Sequence, residues 1–75
     1  MPEAVWEAKA NRLLRSEMTK RGVTYAELVR RLEGIGVKED ERNLRNKVAR
    51  GKFTTALFLQ CLHAIGTRHL DISDL

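Results

Sequence analysis

The 75-residue sequence predicts an all-α fold, a compact bundle of four helices with a short C-terminal turn. Three observations carry this: no proline follows Pro2, the β-branched residues are dispersed, and apolar residues recur at helical spacing in four stretches. At 8.6 kDa the chain has room for one domain, taken as residues 1–75, and no separate catalytic domain. An apolar fraction of 43% beside 32% charged residues is that of a folded globular protein.

The first helix is read over 3–21. Trp6, Ala10, Leu13, Leu14 and Met18 fall at i, i+4, i+7, i+8 and i+12, which is one helix face. Pro2 suits a first turn, and Gly22 after Lys20 and Arg21 suits a left-handed stop. Trp6 is expected to pack the open end of the core.

The second helix is read over 25–33. Thr24 is its cap, Glu27 completes a capping box, and Val23 with Leu28 forms a hydrophobic staple. Leu28, Val29, Leu32 and Ile35 form the expected buried stripe, ended by Gly34 and Gly36.

The third helix, over 41–50, starts from Asp40 and ends at Gly51. Its large apolar residues are Leu44 and Val48 alone, so it should pack along a narrow line and show most of its circumference to solvent. The fourth, over 55–65, opens with a Phe53 to Phe58 staple and has the densest apolar face: Leu57, Phe58, Cys61, Leu62 and Ile65. In the tail, Leu70, Ile72 and Leu75 are expected to lay a last helical turn over the core.

Several classes are excluded at this level. A lone Cys61 forms no intramolecular disulfide, and with His63 and His69 gives no zinc-ligand spacing, so no metal or cofactor is expected. Cys61 reads as a buried inert thiol and the histidines as surface residues. Glu3 and Glu7 stand where a secretory signal would be cationic, no run reaches the ~18–20 apolar residues of a membrane span, and a cytoplasmic location is expected. No nucleophile with a base, phosphate-cradling loop or carboxylate pair is evident, so neither an enzyme nor a small-molecule substrate is expected.

The formal charge of +4 is unevenly placed: Arg42 to Lys52 carries +5 with no acid, and the remaining 64 residues carry −1. Lys and Arg displace counterions from phosphates, and Arg and Asn pair with guanine and adenine edges. Arg42, Asn43, Arg45 and Asn46 are therefore base-edge candidates, and Tyr25, Lys47, Arg50 and Lys52 phosphate candidates. The plain alternative is a solvated helix face. Glu39, Asp40 and Glu41 oppose a polyanion at the start of the third helix. Either they point back over the second helix, or contact is made by the middle of the third and the RGKF loop.

With RGVTYAEL, VARGKF, LFLQCLHAIG and LDISDL in that order, the chain resembles the lambda-repressor and Cro-like helix-turn-helix domains of bacterial and phage regulators over roughly residues 10–75. The string NLRNKVARGKF in that context also resembles a family of short bacterial proteins of unknown function. The repressor resemblance implies that helices two and three form a helix-turn-helix with helix 41–50 in the major groove of double-stranded DNA, in a transcriptional regulator or accessory factor. It also implies a homodimer reading two half-sites, for which Trp6 or the tail would supply a patch. The sequence departs from the repressor pattern at Tyr25, where Gln is usual, at Ala49, where Glu is usual, and in a longer connection between helices two and three. The alternative reading is a protein-protein interaction domain on the same scaffold without DNA binding, favoured by the acids, the longer turn and the apolar tail. RNA is the weaker third, since interleaved aromatics are missing.

Overall fold

The computed structural model describes residues 2–73 and 75. It has four helices: α1 (Pro2–Arg21), α2 (Tyr25–Gly34), α3 (Glu41–Arg50) and α4 (Thr55–Ile65). The described residues contain no strand. α1 and α2 each pack against both α3 and α4, whereas α1 does not pack on α2 nor α3 on α4. The four therefore close a ring around one core. That core comprises Leu14, Met18, Val23, Leu28, Leu32, Leu44, Val48, Leu57, Cys61, Leu62 and Ile65.

The caps act where the side chains suggest. Thr24, Asp40 and Thr54 accept from the backbone N–H groups of Glu27 (3.1 Å), Asn43 (3.2 Å) and Leu57 (3.0 Å), meeting one orphan donor at the start of each helix. The capping box at α2 is half built, because the Glu27 carboxylate turns to Arg30 and Arg31 instead. The staple before α4 stacks Phe53 on Phe58 with ring centroids 5.6 Å apart.

At the end of α2, Gly36 N–H donates to Glu33 O and Val37 N–H to Leu32 O. This is a Schellman closure, and it brings Val37 rather than Ile35 onto the core. Ile35 is 43% exposed, so its expected place in the buried stripe is corrected: the helix has stopped before its side chain can reach inward. Equivalent bonds close α1, α3 and α4.

Gly51, which closes α3 at φ 63°, is also a packing point. A methyl group there would overlap the Glu7 carbonyl of α1 and come within 2.8 Å of the Glu7 Cα. The start of the RGKF corner is thus seated on the backbone of α1.

Two further expectations are corrected. Trp6 does not close the core: it is 56% exposed, with Lys9 Nζ 4.2 Å above its ring. At about 1.5 Å per residue, α1 is roughly twice the length of its partners, so Trp6, just ahead of the Glu7 contact with Gly51, stands beyond the buried core. The tail forms no helix over the described residues. Leu70 reaches the core, but Ile72 is 58% and Leu75 39% exposed, and Asp74 lies outside the described residues.

Glu17 is the buried charge that periodicity does not reveal. It is 5% exposed on the core-facing side of α1, and accepts from Thr67 Oγ1 (2.9 Å) and Lys20 Nζ (3.1 Å), with Arg21 Nε 3.6 Å away. Burial pushes its carboxyl up, but these bonds outweigh burial and hold it below the ordinary carboxylate range. Through Thr67 it fastens the exit of α4 to α1.

Candidate nucleic-acid interface

α3 is held by Leu44 and Val48, 0% and 1% exposed, one turn apart on its inner side. Arg42, Asn43, Arg45, Asn46, Lys47, Ala49 and Arg50 are all exposed. Helical rotation turns Arg42, Asn46 and Arg50 directly away from the seam, with Arg45 on one flank and Lys47 on the other.

Seven of the eight candidates divide into two groups. Asn43, Asn46, Lys47, Arg50 and Lys52 surround one shallow hollow on the outer face of α3 and the corner after it. Tyr25 and Arg45 border a second, with Arg15 and Thr19 from α1, Thr24 at the α2 cap, and Met18 and Val23. Arg42 lines neither. The Arg45 guanidinium lies 5.1 Å from the Tyr25 ring centroid, a cation–π distance. Burial raises the Tyr25 phenol above its ordinary range against the opposing charges of Arg15 and Arg45, so near neutrality it is a protonated donor.

The three acids have three separate fates. Asp40 is the cap. Glu41 Oε2 lies 2.9 Å from Arg45 Nη2, and Glu39 receives Lys47 Nζ at 3.0 and 3.3 Å on its two carboxylate oxygens. Glu39 is turned inward, with its side chain 13% exposed. Two of the five cations in the 42–52 window are thus engaged by carboxylates, while Arg42, Arg50 and Lys52 have no ion pair among the described residues.

Arg15 escaped the sequence reading because nothing local to α1 announces a neighbour on α2 or α3. The Glu41–Arg45 pair did have a local signal, its i,i+4 spacing. Cys61 is fully buried, and burial, with Glu39 nearby, lifts its thiol to about 11, which leaves it unreactive at neutral pH. His63 and His69 are exposed. Among the described residues no His, Cys, Asp and Glu group is placed to hold a metal ion, and no helix is long and apolar enough to cross a membrane.

A family model described as a domain of unknown function, DUF6471, matches residues 6–70. The chain belongs to that family. The DUF6471 match runs from Trp6 on the first turns of α1 to Leu70, so it includes all of α2, α3 and α4 and both hollows. No curated protein and no solved structure matches the chain.

Proposed function

We propose that this DUF6471 chain is a DNA-binding module, with α2 and α3 as a helix-turn-helix and α3 lying in the major groove, serving a transcriptional regulator or accessory factor. The observation that carries the reading is the gathering of Asn43, Asn46, Lys47, Arg50 and Lys52 around one hollow of a helix that only two apolar residues hold down. In this reading Arg42, Asn43 and Asn46 reach base edges, Arg50 and Lys52 take phosphates, and Arg15, Tyr25 and Arg45 grip the backbone at the second hollow. A homodimer on two half-sites and a cytoplasmic setting belong to the same proposal.

The ion pairs change the expected salt dependence. Neutralising five phosphates would give a slope of log affinity on log salt of about −4.5, whereas Arg15, Arg50 and Lys52, the phosphate-contacting cations without an ion pair among the described residues, give roughly −2.7. Titration of a random-sequence duplex at several salt concentrations should return a slope nearer the smaller magnitude. A flat response, or no binding at low salt, overturns the reading.

A second reading keeps a specific observation in its favour. Val5, Trp6, Leu59 and Ile72 are each more than half exposed, the kind of side chain that anchors a protein partner. A partner complex that leaves α3 free to bind duplex would separate this role from the first; one that covers α3 would replace it.

A further inference from the structure

The two paired acids of α3 differ in setting, and the difference has consequences for selectivity. Glu41 and Arg45 are both open to solvent, with side chains 44% and 56% exposed. Such a pair is worth little and exchanges readily for another anion. Glu39 instead is turned into a mixed hollow with Val37, Phe53 and Leu57 on its apolar side and Lys52, Thr54 and Gln60 on its polar side, its side chain only 13% exposed, and Lys47 pairs with it from α3. Drawing Lys47 away to a phosphate would part a carboxylate that is mostly shielded from water from its ion-pair partner, which costs more than parting the open Glu41–Arg45 pair.

An approaching anion therefore meets a basic helix whose two flanking cations are already occupied, one loosely and one firmly. The central cations Arg42 and Arg50 have no such competitor among the described residues. Phosphate attraction is weakened on both sides of the helix, while base-edge contacts at its centre keep their full strength.

We propose that Glu39 and Glu41 are specificity-determining residues: they hold Lys47 firmly and Arg45 exchangeably, so that phosphate attraction alone binds weakly and engagement depends on Arg42, Asn43 and Asn46 meeting base edges. This rests on the duplex-binding reading and changes one role within it. Lys47 becomes a pin that fixes the start of α3, and Arg45 is the cation released to a phosphate.

The experiment compares wild type with Glu41→Gln and Glu33→Gln on a random-sequence duplex at several salt concentrations and on immobilised heparin. Glu33→Gln removes the same charge from an exposed position of α2 that makes no ion pair with α3 among the described residues. Glu41→Gln should bind roughly threefold tighter than Glu33→Gln, with a salt slope steeper by about 0.9. Equal binding by all three proteins overturns it and leaves the duplex reading standing, and no binding by any of them overturns both. The pin is tested without DNA: Lys47→Ala should melt roughly 5–10 °C below Arg45→Ala. Equal melting points overturn that half.

Discussion

α3 and α4 are built to nearly the same length, 10 and 11 residues, with a side-chain cap at the start and a left-handed glycine at the end. Their surfaces are opposite. α4 buries Leu57, Cys61, Leu62 and Ile65 and carries no Lys, Arg, Asp or Glu; α3 buries Leu44 and Val48 and carries four cations and three further polar or charged residues around them. The contrast teaches how so short a chain separates tasks. One helix closes the core, and another is attached by the least apolar surface that will hold it, which leaves its remaining faces for a partner.

The severest way to break that contrast is to remove an anchor of α3. Leu44→Ala should cost about 3 kcal/mol, with a range of roughly 2–5 for a buried leucine. A chain of this length has roughly 4–11 kcal/mol of total stability, so a circular-dichroism melt should fall by roughly 12 °C or more. A loss below about 1 kcal/mol would mean that α3 is not held by this seam.

The two terminal glycines sharpen the comparison further. Gly66 after α4 has open space around its missing side chain, so Gly66→Ala meets only the left-handed penalty, about 1 kcal/mol. Gly51 after α3 is seated on Glu7, so Gly51→Ala should cost roughly 1–2 kcal/mol more. Chemical denaturation of both variants measures the difference directly. Equal losses would show that the corner does not depend on its contact with α1.

Most of this architecture is legible in the sequence because its signals are local. Thr24, Asp40 and Thr54 mark helix starts within three residues of the groups they cap, and the Leu44–Val48 seam can be read from spacing alone. What was not legible depends on distance. Trp6 is exposed because α1 outruns helices encoded far downstream, and Glu17 is tolerated at the core because Thr67 arrives from the end of α4. At the site, the basic window and its acids are plain in the chain, but the shielding of Glu39, whose side chain is 13% exposed, depends on residues as far along the chain as Phe53, Leu57 and Gln60 converging around it. No local pattern encodes that convergence.

The Glu17 link gives a pH-dependent version of the contrast, because it serves α4 and leaves α3 untouched. Its folded pKa is lowered, so its contribution is present above the unfolded carboxylate value of about 4.3 and is lost as pH falls through the lower folded value. Glu17→Gln should therefore flatten the acid limb of the stability profile between neutral pH and the acid region. An unchanged limb would assign the acid sensitivity to other carboxylates.

The smallest expected effect on stability is the most informative about the division of tasks. Arg42 and Arg50 project from α3 without an ion pair among the described residues, and replacing either leaves no buried group unsatisfied. Arg42→Ala combined with Arg50→Ala should therefore change stability by no more than about 0.5 kcal/mol, as surface substitutions do. The same variant should weaken duplex binding and reduce the magnitude of the salt slope by roughly 1.8 if both side chains neutralise phosphates, or by less if Arg42 reads a base edge. Melting and binding measured on one preparation decide the matter. A chain that melts as wild type and loses affinity has an α3 surface free of any folding role, whereas a chain that loses stability without losing affinity would make these arginines part of the scaffold and return α3 to the same standing as α4.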